Sequence, residues 1–190
     1  MKRAVRPTTQ QAITDAAIAA LAQNPQATMS EIALRAGVGR ATLHRLYASR
    51  AELMEHIIVR SMAETEQAVR DLVGDEEDPL KMLQAMFAAV VPLGDRYHFL
   101  RGELTTNPAL VEQYAVQVRW IADLVDGLKR EKLIDHGVPT SWVTAQIDQL
   151  IWTAWQEVAG GRLAAVDAPA LAVRTVLHGL GPKFVEDHDE

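Results

Sequence analysis

Apolar residues in this 190-residue chain recur at steps of three and four, and no stretch keeps the two-residue alternation of a half-buried strand. A chain patterned this way buries its apolar stripes by packing helix on helix, so the pattern predicts an all-α fold. Start and stop signals divide it into about nine helices. Thr8 or Thr9 caps the first, whose stripe is Ile13, Ala16, Ala17, Ala20 and Leu21 and which stops at Asn24-Pro25. Thr28 with Glu31 forms a capping box for a short second helix, and Gly37 stands where a left-handed residue closes a helix. A third runs from about Arg40 to Tyr47. Ser49 with Glu52 repeats the capping box and opens a long fourth, with Leu53, Ile57, Ile58, Met62, Val69 and Leu72 on its buried side.

Asp78-Pro79 opens a fifth helix, Asp95 a short sixth and Asn107-Pro108 a long seventh that reaches about Ile134. Gly137-Val138-Pro139 ends it, Thr140 or Ser141 opens an eighth to about Ala159, and Asp167 a ninth to about Leu180. No Gly/Pro/Ser-rich linker interrupts the fourth helix, which therefore joins two modules, expected at 1–52 and 53–190.

Charge separates the same modules. Residues 1–60 hold 8 Lys+Arg against 4 Asp+Glu, a balance of +4, whereas residues 61–190 hold 11 against 21, or −10. Phosphate binding rests on Lys and Arg, so only the basic part is suited to approach a nucleic acid. With 0 Cys the chain has no disulfide framework, thiolate metal site or catalytic thiol. No apolar run approaches the roughly 20 residues of a membrane helix, and the expected setting is cytoplasmic.

Residues Thr28 to Tyr47 read as a helix, a Gly-centred turn and a second helix, the arrangement that lays its second helix in a major groove. Ala33 is small enough for the helices to approach, Gly37 permits the reversal and Val38 fills the space between them. Leu43, Leu46 and Tyr47 then face the core, leaving Arg40, Ala41, Thr42, His44 and Arg45 for DNA.

The run IALRAGVGRATLHRLYASRAEL, Ile32 to Leu53, resembles the signature IA..AGVS.GTLY.HF.SK..L of the TetR (tetracycline-repressor-like) family of bacterial regulators. The likeness covers roughly the first 60 residues; beyond them only helix number and length agree. It implies an N-terminal three-helix helix-turn-helix domain and a C-terminal helical domain for ligand binding and dimerisation. It further implies that Thr28 and Arg50 touch phosphate and that Arg40, Ala41 and Thr42 start the base-facing helix, with base readout and phosphate contact both open for Arg40. His44 stands where the family has Tyr, and Tyr47 where it has Phe. A histidine donates to phosphate according to its protonation and tautomer, so operator affinity is expected to depend on pH through His44.

A helix-turn-helix this small calls for two copies on a two-fold axis. The last two helices are apolar on more than one face, and by resemblance they form a four-helix bundle with their symmetry mates. Ile147, Ile151, Ala154, Val158, Val173, Val176, Leu177 and Leu180 are the expected dimer interface. Large, adaptable side chains concentrate in the fourth to eighth helices, and Met62, Met86, Phe87, Phe99, Tyr114, Gln117, Trp120 and Trp155 are the candidate pocket for a small apolar or amphipathic effector of unknown identity. His98, Asp123 and Gln156 are further polar candidates for orienting it.

An enzyme is the first rival. No Glu has a His three residues later, as paired di-metal motifs require, and there is neither a Walker run nor Gly-x-Ser-x-Gly. Neither catalysis nor a cofactor is expected. The second rival is a dimeric architectural DNA-binding protein without an effector. The acidic tail Glu186 to Glu190 could hold a metal loosely, but reads as a solvated terminus.

Overall fold

The computed structural model describes residues 8–94 and 108–180, the side chains of residues 108–110, 113 and 180 excepted. The expected short helix at Asp95, the Asn107 cap, His98, Phe99 and the acidic tail lie outside the described residues. Those residues form eight α-helices and one short 3-10 turn, with no strand among them. Contacts divide the chain into two compact units between Ala63 and Glu64, inside the fourth helix and later than the 52/53 boundary read from the sequence.

The first unit begins with α1 (Thr9–Gln23), where the Thr8 hydroxyl accepts from the Gln11 amide at 3.2 Å. The stripe Ile13, Ala16, Ala17, Ala20 and Leu21 is buried as expected, and Ile18 joins it. α2 (Met29–Arg35) has the full capping box: the Thr28 hydroxyl accepts from the Glu31 amide, while the Glu31 carboxylate accepts from the Thr28 amide at 2.6 Å. Those hydrogen bonds hold the Glu31 carboxyl below the usual carboxylate range. α2 ends on Gly37 at φ +66°, with Val38 N–H donating to Ala33 and Gly37 N–H to Leu34, the paired bonds of a Schellman motif. α3 (Arg40–Leu46) follows at once.

α4 (Arg50–Val73) buries Leu53, Ile57, Ile58 and Met62. Leu72, expected inside, is exposed because it sits in the last turn. The second capping box is altered: Ser49 accepts from the Glu52 amide at 3.2 Å, but the Glu52 carboxylate reaches one residue further back, to the Ala48 amide at 2.8 Å. Ile13, Ala17, Leu21, Ile32, Ala33, Leu43, Leu53 and Ile57 meet in one apolar core. Each fully buried Leu or Ile contributes roughly 1.5–3 kcal/mol, which is what holds three short helices that would be marginal alone.

In the second unit, α5 (Pro79–Val90) starts where the Asp78 carboxylate accepts from the Leu80 and Lys81 amides. Leu83, Met86, Phe87 and Val90 form its inner face, and Val91–Leu93 tighten into the 3-10 turn. α6 (Pro108–Arg130) stops short of the expected Ile134. Lys132 takes a left-handed conformation at φ 60°, and Leu133 N–H bonds back to Leu128, so the chain closes without a glycine. α7 (Thr140–Ala159) has Pro139 at its cap position and no side-chain cap. The Thr140 hydroxyl, expected to cap it, instead donates to Asp126 at 2.8 Å and accepts from Lys129 at 3.0 Å. Lys129 is buried and also donates to the Val138 carbonyl, so one cation pins the α6–α7 connection. α8 (Ala168–Leu180) packs against α5 and α7.

Candidate nucleic-acid interface

The outer face of α3 follows from what its inner face must do. Leu43 is wholly buried and Tyr47, four residues on, is nearly so. Helical geometry then places the pairs Arg40/His44 and Ala41/Arg45, each also four apart, on the opposite side, and all four are exposed. Thr42 lies between the faces and is half-buried. Leu46 departs from the expected inward position and is exposed. The helix ends there, and Tyr47 leaves it in extended backbone at φ −140° with its ring in the core.

Among the described residues, the guanidinium groups of Arg40 and Arg45 have neither a carboxylate nor a carbonyl partner, which leaves two cations on one helix free to meet phosphate or base edges. A seven-residue helix is about 10 Å long at ~1.5 Å per residue, short enough to lie within a major groove.

Two expected phosphate contacts are otherwise engaged. Arg50 is turned inward: its guanidinium donates to the Pro25 carbonyl at 2.7 Å and also to the Ala27 carbonyl. It clamps the α1–α2 turn against the start of α4. A sequence signal existed, because a cation in the first turn of a helix opposes the helix dipole and needs another partner. The Thr28 hydroxyl donates to the Glu31 carboxylate at 2.8 Å, so the capping box already uses its proton.

Behind α3, the Tyr47 ring stacks obliquely on His56 of α4, with centroids 5.2 Å apart. The Tyr47 hydroxyl is buried without a hydrogen-bond partner. Burial, and secondarily the Arg60 charge, hold the His56 imidazole below the usual histidine range. Arg60 itself pairs with Asp15 at 3.5 Å, tying α4 to α1.

Residues 13–57, which contain this whole arrangement, match the family of bacterial regulatory proteins named tetR. The N-terminal module is similar to that of the TetR family. The HTH-type transcriptional repressor LfrR of Mycolicibacterium smegmatis is 49% identical over 49 residues, which make up 26% of this chain and 26% of that protein. The aligned segment thus spans about a quarter of that relative. The fold of the chain as a whole is similar to that of TetR-like regulators. The crystal structure of LfrR from Mycobacterium smegmatis in complex with proflavine superposes at a TM-score of 0.75 with 22% identity, over 90% of this chain and 96% of that one. The ketosteroid transcriptional regulator KstR2 of Mycobacterium tuberculosis gives 0.78 at 19%, over 93% and 97%. AibR in complex with isovaleryl coenzyme A and operator DNA gives 0.76 at 16%, over 90% and 98%.

The larger unit of this TetR-like fold carries most of the expected pocket residues. Met86 and Phe87 are fully buried on α5, and Met62 is buried on the first unit's side of the division. Tyr114, Gln117, Trp120 and Trp155 are half-buried. The Gln117 amide donates to Glu66 at 3.2 Å, and Trp155 packs on Trp152 with centroids 5.1 Å apart. Trp120 and Asp123 line, with Met82, a concavity of about 210 Å³ at the start of α5 and the end of α6. Gln156 is exposed. No described helix is long and apolar enough to cross a membrane.

The expected dimer interface divides in two. Ile147, Ile151, Ala154, Val173 and Val176 are buried within the single chain, where they hold α7 and α8 to its core. Val158 and Leu177 are half-buried, and the Leu180 side chain is outside the described residues. Trp142 on α7 and Leu171 on α8 are exposed, at 56% and 39%.

Proposed function

We propose that this chain is a cytoplasmic transcriptional repressor that binds a palindromic operator as a homodimer and is released by a small molecule. The observation that carries the reading is the exposed face of α3, where Arg40, Ala41, His44 and Arg45 project from a helix whose other side is locked into the core by Leu43 and Tyr47. Thr42 completes the base-facing set, and Thr28 serves through its backbone and cap position. A single helix of this size holds too few contacts for specific binding, and two copies reading successive major grooves supply the rest. The acidic unit is repelled by DNA and orients the basic one toward it.

Release is a population shift: an effector bound in the second unit favours a separation of the two α3 helices that no longer matches half-sites one helical turn, or a multiple of it, apart. α4, unbroken from Arg50 to Val73 and contributing to both units, is the element suited to carry that displacement. The complexes of LfrR with proflavine and of AibR with isovaleryl coenzyme A and operator DNA support an effector of amphipathic character. Selection of bound sequences from a random DNA pool tests the proposal. A palindromic consensus is the expected result, and recovery of sequences without two-fold symmetry rejects dimeric operator recognition.

A further inference from the structure

The second unit has a groove whose chemistry is unrelated to DNA binding. Its floor is Pro79, Met82, Trp120 and Leu124, and Gly127 lets Pro79 come close: a Cβ there would stand 3.1 Å from Pro79 Cβ. Its rim is charged. Glu77, Asp123 and Glu131 supply three carboxylates against the single guanidinium of Arg130. All four rim residues are exposed, and among the described residues none of the three carboxylates is held in an ion pair.

This combination discriminates by charge. An anion meets an excess of negative charge, and a neutral apolar molecule strips water from the carboxylates without replacing it. An organic cation gains from the rim through Coulomb attraction and from the electron-rich face of the Trp120 indole. At about 210 Å³ the groove is smaller than the ~300–1,000 Å³ of a drug-sized pocket, so its occupant is compact. We propose that this groove binds a small organic cation, an alkylammonium or quaternary ammonium group on an apolar body, with the charge among Glu77, Asp123 and Glu131 and the body on Trp120 and Met82. The groove belongs wholly to the second unit, and the proposal holds whether or not the chain regulates transcription.

Benzyltrimethylammonium titrated into the full chain tests this, with the four indole N–H signals followed by nuclear magnetic resonance and that of Trp120 assigned from Trp120→Phe. The expected result is a saturable shift of the Trp120 signal that benzenesulfonate does not produce. Glu77→Gln, Asp123→Asn and Glu131→Gln together should weaken the probe at least ~10-fold while leaving the remaining indole signals in place. Independently of any variant, added sodium chloride should weaken the wild-type response to the probe. Saturation at Trp142, Trp152 or Trp155 without a shift at Trp120 overturns the proposal, as does an equal response to the sulfonate or indifference to salt.

Discussion

Gly94 lies so close to Trp155 that a Cβ at position 94 would overlap Cγ and Cδ1 of the indole and the tryptophan's own Cβ. The 3-10 turn Val91–Leu93 delivers Gly94 against α7, and the absence of a side chain is what lets the ring lie there. Overpacking of this kind typically costs about 1–3 kcal/mol. Gly94→Ala should therefore lower stability to urea by that amount, and Trp155→Leu in the same chain should recover part of the loss. Additive losses in the double-mutant cycle would show that the contact does not set the penalty.

Arg50 and Arg45 are expected to separate folding from DNA binding. Arg50 bonds the carbonyls of Pro25 and Ala27, so Arg50→Ala should cost about 1–3 kcal/mol in urea unfolding. Arg45, exposed on α3, should leave stability within about 0.5 kcal/mol when changed to Ala. The same Arg45 change should weaken operator binding and reduce its salt slope by about 1. Equal effects of both substitutions on stability would contradict the assignment of Arg50 as a clamp.

Tyr47 carries a buried hydroxyl with no hydrogen-bond partner, and Phe fills the same space without a polar atom. Tyr47→Phe is expected to raise stability by about 1 kcal/mol, since the desolvation cost of the unpaired group disappears. A loss of stability on that substitution would reveal a partner for the hydroxyl.

His56 provides a pH dependence whose sign follows from its environment. Its pKa is lowered in the folded chain by burial and by Arg60, so the unfolded chain takes up the proton first as pH falls. Above the ordinary value of 6.5 the imidazole is neutral in both states and exacts nothing. Below it, stability declines until the folded pKa is also passed. His56→Phe should flatten the melting temperature measured between about pH 7.5 and 5.5, above the range where carboxylates titrate. An unchanged slope would exclude His56 as the source.

The helices were legible wherever their signals were local. The Thr8 cap, the Thr28/Glu31 capping box, the Asp78 cap and the left-handed Gly37 each bind groups within five residues, so the sequence states both partners side by side. The end of α6 was misplaced because a lysine, Lys132, took the left-handed position that glycine would have announced. Of the candidate interface, periodicity alone separated Leu43 and Tyr47 from Arg40, Ala41, His44 and Arg45.

The order of residues by itself determined an all-helical chain with a basic helix-turn-helix at its start, because hydrogen bonds and apolar spacing within a few residues specify a helix and its two faces. Tertiary structure alone decided which apolar face is internal: Ile147, Ile151 and Val176 turn into their own chain, while Trp142 and Leu171 remain outside. It also decided that Arg50 reaches back to Pro25 and Ala27, and that Glu77, Trp120 and Glu131 share one groove. These relationships join residues distant along the chain, and they arise only when packed helices bring the side chains within contact distance.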